Sequence, residues 1–573
     1  MKLRLICRLR ATTVLAASFI SLVAPAWADP DAGSYLAARQ AGIEGNFNAA
    51  AGYYQHVLNS DPNNLELLED TLTAHLGSGQ IQTAAQMAKT LIDAGGESQA
   101  ANIATMAQHV KTGDWDALFS QLEAGHEVGP LLDGLVQSWG YVAIGQADRA
   151  LDSFDDVIVT PGLRGFGQHH KAMALAIMGE LQAADAIYSL PAGQGLTPTR
   201  GSVLAHLHIL TRLGDFERAS ELMTRVFTGD TSPEVITMRD AINAGEIPTL
   251  DDMVSTPAEG AAFAFLGLTR VLEDEALPNY LLLYAQSARY IAPQNADAHI
   301  ATAGLLSSLE QYDAAAVTYA QVPTEHDAFH SAEMGRADAL RQAGRLDQAI
   351  EVLSQLARTH PDQPMAYASL GDIYRHQKDF ENANGAYDAA LNGFSEDAPV
   401  RWWLLYSRGI TFERLDQWEE AEADFRAALA LNPENPSILN YLGYSLVDRG
   451  FKYDEALGMI QTAVDLRPDS GAIIDSLAWV YYKLGRFEDA VEPMVRAAEL
   501  EPNDPVVSDH LGDIYWMVGR ETEAKFQWRR ALSFEPEADE ASRIRRKIAI
   551  GLTAVYAEEG TAPPSVEVAN DAN

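Results

Sequence analysis

The chain has 573 residues, 47% hydrophobic and 21% charged, which is the composition of a folded globular protein and argues against extended disorder. Its formal net charge of −39 repels nucleic-acid phosphates and anionic lipids, so we expect neither as a general partner. The same charge favours basic or neutral protein segments, although it can equally serve solubility alone.

The N-terminus predicts a secretory signal peptide over residues 1–28. Met1–Arg10 carries basic residues and no acid, Ala11–Val23 is apolar, and Ala26-Trp27-Ala28 has the small residues of a cleavage site. Cleavage after Ala28 predicts a periplasmic protein of a Gram-negative bacterium; the alternative is an uncleaved anchor. We expect no transmembrane segment in the mature chain. The single cysteine, Cys7, precedes the apolar stretch, so the mature chain would lack thiols for disulfides or lipidation.

Residues 29–228 show the spacing of short helix pairs, but with irregular residue choices. Gly45 is followed by Ala50 and Tyr54, and related patterns recur twice downstream. We expect a degenerate series of helix pairs here. Residues 229–260 contain closely spaced glycines and prolines, which predict an irregular connection and a break between two halves of the chain.

From residue 261 to residue 537 a helical pattern recurs at intervals of about 34 residues. One such unit consists of Leu511, Gly512, Tyr515, Gly519, Ala524, Trp528, Ala531 and Pro536. The small residue at Gly512 lets the two helices of a unit approach closely, and Trp528 fills the space beside it. Pro536 ends the second helix because proline cannot continue it. The equivalent small residues upstream are Ala478, Gly443, Gly409 and Gly371.

This pattern resembles the tetratricopeptide repeat, strongly over residues 330–540 and more weakly before them. The resemblance implies an all-α fold, a right-handed α-solenoid of helix-turn-helix repeats, and a concave groove that binds other proteins. The chain is similar to adaptor and scaffold proteins of proteobacterial cell envelopes that carry these repeats. A solenoid needs its end covered, so we expect a capping helix over residues 538–557. Residues 558–573 predict a disordered tail.

Motifs for catalysis or metal binding are absent from the sequence. It contains no G-x-x-x-x-G-K-[ST] phosphate loop, no G-x-S-x-G serine turn and no H-E-x-x-H zinc motif. The glycines of residues 162–167, before His169 and His170, do not follow a predicted strand, so we interpret them as a loop that starts a helix. We therefore predict that the chain is not an enzyme and needs no cofactor or metal.

The resemblance further implies which side chains face the groove. In these repeats the second, fifth, ninth and twelfth positions of the first helix point inward. The corresponding candidates are Asp372, Arg375, Trp403, Tyr406, Asn440, Tyr444, Asp475, Trp479, Tyr482, Asp509, Asp513 and Trp516. Rigid aromatic side chains with carboxylates beside them would select basic or amide-rich segments of a partner. The alternative is that these aromatic residues are buried between neighbouring repeats.

A second candidate surface is a basic cluster near the C-terminus of this acidic chain. Its members are Arg529, Arg530, Arg543, Arg545, Arg546 and Lys547. It could dock an acidic partner or membrane lipid; the alternative is pairing with acids of the same chain, such as Glu535 and Glu540.

Two functions fit these features. The first is a periplasmic adaptor or scaffold that binds partner segments in its groove and serves a protease or a cell-wall enzyme. The alternative is a stable subunit of an envelope assembly or secretion machine for polysaccharide or outer-membrane proteins. The sequence names no partner and does not determine the oligomeric state.

Overall fold

The computed structural model describes residues 30–565, except 192, 231, 249–253 and 362. The predicted signal peptide and the last eight residues of the predicted tail lie outside the described residues. Within the described residues the regular structure consists of helices without any strand, which confirms the all-α prediction. The chain forms two compact units, one ending at Gly344 and the other beginning at Arg345. This boundary differs from the predicted break at 229–260.

Unit 1, the residues up to Gly344, contains helices α1 to α18. They are α1 (Pro30–Ile43), α2 (Phe47–Ser60), α3 (Leu65–Gly77), α4 (Ile81–Asp93), α5 (Gln99–Thr112), α6 (Trp115–Glu123), α7 (Pro130–Ala143), α8 (Ala147–Val159), α9 (Arg164–Met178), α10 (Leu181–Tyr188), α11 (Arg200–Leu213), α12 (Phe216–Val226), α13 (Pro233–Ala244), α14 (Pro257–Val271), α15 (Pro278–Ile291), α16 (Ala296–Ser308), α17 (Tyr312–Tyr319) and α18 (Phe329–Gln342).

Unit 2, the residues from Arg345 on, contains helices α19 to α31. They are α19 (Leu346–Thr359), α20 (Met365–His376), α21 (Phe380–Gly393), α22 (Arg401–Arg414), α23 (Trp418–Leu431), α24 (Pro436–Asp448), α25 (Tyr453–Leu466), α26 (Gly471–Lys483), α27 (Phe487–Leu500), α28 (Pro505–Met517), α29 (Glu521–Ser533), α30 (Ala538–Ile550) and α31 (Leu552–Glu558). The predicted capping segment is thus two helices, which meet at Gly551.

Close approach of paired helices in unit 2 depends on the predicted glycines. A Cβ atom on Gly443 would lie 2.7 Å from Cγ1 of Ile460, which holds α24 against α25. A Cβ on Gly512 would collide with the ring of Trp528, which is completely buried between α28 and α29. Because real Cβ atoms do not come this close, the small residue is a packing requirement.

The two helices of a pair are joined by turns that need a left-handed backbone. Gly485, between α26 and α27, has φ +71°, which glycine adopts without strain. The equivalent turn between α22 and α23 has Asp416 at φ +57°, so the same turn forms there at a conformational cost.

Unit 1 has a feature that its repeat spacing does not predict. The hairpin of α14 and α15 folds back onto α7, α5 and α3, the first helices of successive pairs. A Cβ on Gly260 would collide with the buried ring of Trp139 in α7. Further along, Gln286 Nε2 donates to the carbonyl oxygen of Gly77 at 3.1 Å, and Tyr290 OH donates to Gln108 Oε1 at 2.8 Å. The chain therefore covers α3, α5 and α7 of unit 1 with its own helices.

The loop predicted over residues 162–167 is shorter in the structure, because α9 already begins at Arg164 and includes Gly165 and Gly167. Trp139 Nε1 donates to His170 Nδ1 at 3.0 Å, and burial lowers the pKa of His170 well below its usual value. Burial likewise lowers the pKa of His169 to about 4. The two histidines are therefore neutral at physiological pH, and they pack against Phe263 of α14 in the interior of unit 1. No helix among the described residues is both long and apolar enough to cross a lipid bilayer.

Candidate protein-binding groove

The inner face of unit 2 is formed by α20, α22, α24, α26 and α28, the helices that carry the predicted groove residues. None of these twelve residues is fully exposed. Those that are half-buried are Asp372, Arg375, Trp403, Tyr406, Asn440, Tyr444, Trp479, Asp509 and Trp516. Those that are buried are Asp475, Tyr482 and Asp513. The buried ones lie on α26 and α28, so the predicted groove residues are less exposed towards the C-terminal end of the groove.

The C-terminal end is covered by α30 and α31, which we call the C-terminal cover. Lys547 of α30 is completely buried, and its Nζ donates to Asp509 Oδ2 and to both carboxylate oxygens of Asp513, each at 2.7 Å. Trp528 Nε1 also donates to Asp513 Oδ1, at 2.9 Å. A buried carboxylate is tolerated only when it is paired and hydrogen-bonded, and Asp513 meets both conditions.

The second part of the cover, α31, rests on two predicted groove residues. Trp516 Nε1 donates to Thr553 Oγ1 at 3.0 Å, and the hydroxyls of Tyr482 and Tyr556 are 2.9 Å apart. Leu552 of α31 is completely buried. Tyr482 and Trp516 are therefore occupied by the chain itself.

Beneath the cover lies an aromatic stack with a buried histidine. Trp479 stacks on His510, with ring centroids 3.8 Å apart, and on Tyr482, with centroids 4.6 Å apart. His510 Nδ1 lies 2.9 Å from Asp475 Oδ1. Burial alone would lower the pKa of His510, but the carboxylates of Asp475, Asp509 and Asp513 outweigh it and raise that pKa. The histidine thus carries a positive charge more readily than a free imidazole.

Asp509 is the least satisfied member of this cluster. Burial raises its pKa to about 6, the neighbouring carboxylate of Asp513 adds to the shift, and Lys547 opposes it. Its Oδ1 atom is buried and has no hydrogen-bond partner among the described residues. The ion pairs of Lys547 with Asp509 and Asp513 hold the cover against α28, and the carboxyl of Asp509 takes up a proton more readily than a free carboxyl group.

The groove between α20 and α24 has a different lining. Tyr406 packs edge-on against Tyr441, with ring centroids 5.9 Å apart. Tyr387 OH donates to Asp372 Oδ1 at 2.7 Å. The Oδ1 atom of Asn440 is a buried acceptor without a hydrogen-bond partner among the described residues. This stretch offers half-buried aromatic surface to a partner.

Acids surround Tyr444 at the edge of this stretch. Burial and then the carboxylates of Asp448, Asp475 and Glu540 raise the pKa of Tyr444. Asp448 is 63% exposed and lies 3.7 Å from Lys483 Nζ; Glu540 is also exposed. We call Asp448 and Glu540 the acidic rim.

Comparison with known proteins identifies the repeats. Residues 334–399, 406–470 and 445–505 match the sequence profile of the family described as tetratricopeptide repeat. The chain carries tetratricopeptide repeats. This confirms the tetratricopeptide resemblance over residues that include Gly371, Gly409 and Gly443, and it supports the expectation of a chain that binds other proteins.

Two curated relatives share tetratricopeptide sequence with part of this chain. A TPR repeat-containing protein of Pseudomonas aeruginosa is 35% identical over 173 residues, which is 30% of this chain and 28% of that protein. Human protein O-mannosyl-transferase TMTC1 is 24% identical over 182 residues, or 32% of this chain and 20% of that protein. The chain thus spans less than a third of the length of either relative.

Among solved structures, the chain is similar to YrrB, described as a TPR protein with an unusual peptide-binding site. The identity is 19%, the match covers 34% of this chain and 99% of that chain, and the TM-score is 0.28. The chain is also similar to a chain of the APC/C hetero-tetramer Cut9–Hcn1, at 14% identity over 90% of this chain and 96% of that chain, with a TM-score of 0.37.

The basic cluster near the C-terminus is largely engaged within the chain. Arg543 Nε donates to Glu559 Oε1 at 3.2 Å, and Arg546 Nη2 donates to Glu558 Oε2 at 2.8 Å. Arg530 Nη2 donates to the carbonyl oxygen of Pro502 at 2.6 Å, and Lys547 is buried as described above. The exposed members are Arg529 and Arg545. As a buried group, Lys547 offers no surface to a second protein.

Proposed function

We propose that the chain is a protein-binding adaptor of the periplasm that holds a partner segment against the tetratricopeptide groove between α20 and α24. The observation that carries this proposal is the coincidence, at Tyr444, of half-buried aromatic surface with the acidic rim of Asp448 and Glu540. A basic side chain of a partner would find complementary charge there, on a chain whose formal net charge is −39.

The lining of this stretch suits an extended or helical segment. Half-buried Trp403 and Tyr406 provide rigid contact area at low entropic cost. These features favour basic or neutral segments, and they need no catalytic group.

The proposed compartment rests on the sequence of residues 1–28, which has the charged, apolar and small-residue regions of a signal peptide. In that compartment we propose a protease or a cell-wall enzyme as the partner that the adaptor serves. The second candidate is a stable subunit of an envelope assembly or secretion machine. It is favoured by the covered inner helices α3, α5 and α7 of unit 1, because helices that the chain itself covers suit permanent incorporation better than exchange of partners.

Charge reversal of the acidic rim tests the groove. We would capture partners from periplasmic extract with the mature wild-type chain and with the D448K/E540K double variant, and quantify them by mass spectrometry. The matched control is D465K/E488K, which makes the same charge change at exposed acids of α25 and α27. We expect the control to retain its partners and the rim variant to lose them by about tenfold or more.

Two outcomes would contradict the proposal. Equal capture by the rim variant and the wild-type chain would remove the acidic rim from the binding site. Equal loss in both variants would show that net charge, and no particular surface, governs association.

A further inference from the structure

Helix α31 lies against Tyr482 and Trp516, a site that we call the seat of α31, and it is joined to α30 by a glycine hinge. Gly551 joins the two helices with φ +84° and ψ 154°, a backbone conformation that essentially only glycine adopts. A Cβ on Gly551 would also collide with the ring of Trp516. The position of α31 on the groove therefore depends on a single residue that has no side chain.

The side chains of α31 that contact the rest of unit 2 lie close together, as those of a short bound peptide would. Leu552 and Val555 bury their side chains completely, and Tyr556 meets the hydroxyl of Tyr482. The helix then ends in two carboxylates, Glu558 and Glu559, which accept hydrogen bonds from arginines of α30. An apolar and aromatic turn is thus followed directly by two negative charges.

We propose that α31 is an internal ligand of the C-terminal end of the groove and that a partner segment of the same chemistry displaces it. That segment has two aliphatic side chains and one aromatic side chain on a single helical turn, followed by two carboxylates that take over Arg543 and Arg546. The inference rests on the proposed function, since both use the inner face of unit 2. It adds that this end of the groove takes an acidic segment, whereas the acidic rim takes a basic one.

The two parts of the C-terminal cover are attached with different strength. The α30 helix is held by Lys547, whose side chain is completely buried between two carboxylates. The α31 helix has 7 residues, fewer than an independently stable helix needs. Its arginine–glutamate pairs are solvated, with Glu558 55% exposed, so each stabilises it only weakly. Rotation at Gly551 releases α31 and leaves α30 in place.

The test uses a fluorescently labelled synthetic peptide of residues 551–565 as probe and the mature full-length chain as receptor. G551A forces an L-residue into the backbone conformation of the hinge and against Trp516, so it unseats α31 without removing any side chain of the groove. G560A is the matched control, because Gly560 also has a positive φ, +69°, but nothing lies within 4 Å of its Cβ position.

We expect G551A to bind the peptide about tenfold more tightly than the wild-type chain, because unseating α31 raises the fraction of chains with an empty seat. G560A should bind like the wild-type chain. A peptide carrying E558K/E559K should bind G551A about tenfold more weakly, since its charges oppose Arg543 and Arg546. The inference is overturned if G551A binds the peptide no better than the wild-type chain, or if the charge-reversed peptide binds equally well.

Amide hydrogen exchange of the wild-type chain tests whether α31 opens while the rest of unit 2 stays folded, even if G551A does not fold. The amides of Leu552–Glu558 should exchange about 100-fold faster than those of α28, because α31 opens locally. Equal protection of both helices would show that α31 leaves only when unit 2 unfolds, and would overturn the inference. The D448K/E540K variant, placed in the G551A background, should bind the peptide unchanged. Failure at the acidic rim is thereby distinguished from failure at the seat of α31.

Discussion

Lys547 holds the C-terminal cover against α28, and its replacement by Met measures what that ion pair contributes. Its Nζ lies 2.7 Å from one oxygen of Asp509 and from both oxygens of Asp513, and the side chain has no exposed surface. Met keeps most of the aliphatic volume and removes the charge. K547M therefore leaves two carboxylates close together, of which Asp513 is buried and Asp509 is largely shielded from water.

The size of the loss follows from the protonation of Asp509. Removing one partner of a buried ion pair costs about 3–5 kcal/mol when the remaining charge stays uncompensated. Here the pKa of Asp509 is already about 6, above its usual value, and loss of Lys547 raises it further. Near neutral pH the carboxyl then takes up a proton, which limits the cost, so we expect about 2–3 kcal/mol at about pH 7.5. The loss should shrink as the pH falls below about 6, where Asp509 is neutral in the folded chain.

Amide hydrogen exchange of α28 to α31 is the suitable assay, because it reports the stability of this end of unit 2 separately from the remainder. R529M is the matched control, since it removes one exposed cation from α29 and should cost no more than about 0.5 kcal/mol. If K547M costs no more than R529M near neutral pH, the ion pair does not hold the cover. A loss that is independent of pH would refute the role given to Asp509.

Two further substitutions test the packing and the electrostatics of the same region. G512A should destabilise unit 2 by about 1–3 kcal/mol in thermal unfolding, because the added Cβ collides with Trp528. The control is G458A, a helical glycine with open space around it, which should instead stabilise the chain by about 0.5–1 kcal/mol in the same measurement. H510Q removes a group whose folded pKa is raised above its unfolded value, so its stabilisation is complete below about pH 6.5 and is lost as the pH rises through the folded pKa. The difference in unfolding free energy between the wild-type chain and H510Q should therefore be largest near pH 6 and smaller at pH 8, and a pH-independent difference would show that the histidine acts only by packing.

The local packing of the repeats could be predicted from sequence because it is encoded at fixed spacing. Gly443 with Ile460, and Gly512 with Trp528, are close in the chain, and each pair serves one helix–helix contact. The period of about 34 residues then repeats the contact. The turn at Asp416 shows the limit of this reasoning, since an ordinary residue adopts a backbone conformation there that the pattern assigns to glycine.

The exposure of the groove residues could not be predicted in the same way. The repeat positions placed Tyr482, Asp513 and Trp516 on the inner helices, where the structure has them. Whether solvent reaches them depends on α30 and α31, which follow the last repeat and have no fixed spacing to it. The sequence signal that was available was Lys547, a cation in the predicted capping helix of an acidic chain. Its carboxylate partners lie 34 and 38 residues upstream, so the pairing requires the fold.

In both units, segments that lack the repeat spacing cover some of the inner helices. The surface available to a partner is therefore limited to the inner helices that remain uncovered. In unit 1 the hairpin of α14 and α15 buries Trp139 and hydrogen-bonds the carbonyl of Gly77, so α3, α5 and α7 are engaged by the chain itself. In unit 2 the cover engages α26 and α28 and approaches α24 through Glu540 beside Tyr444, whereas α20 and α22 have no such segment among the described residues. The stretch from α20 to α24 has the half-buried aromatic side chains and the exposed carboxylate of Asp448. We therefore expect a partner that binds in a groove of this chain to meet an aromatic surface with an acidic edge, and the charge of its segment to decide whether it binds there or competes with α31.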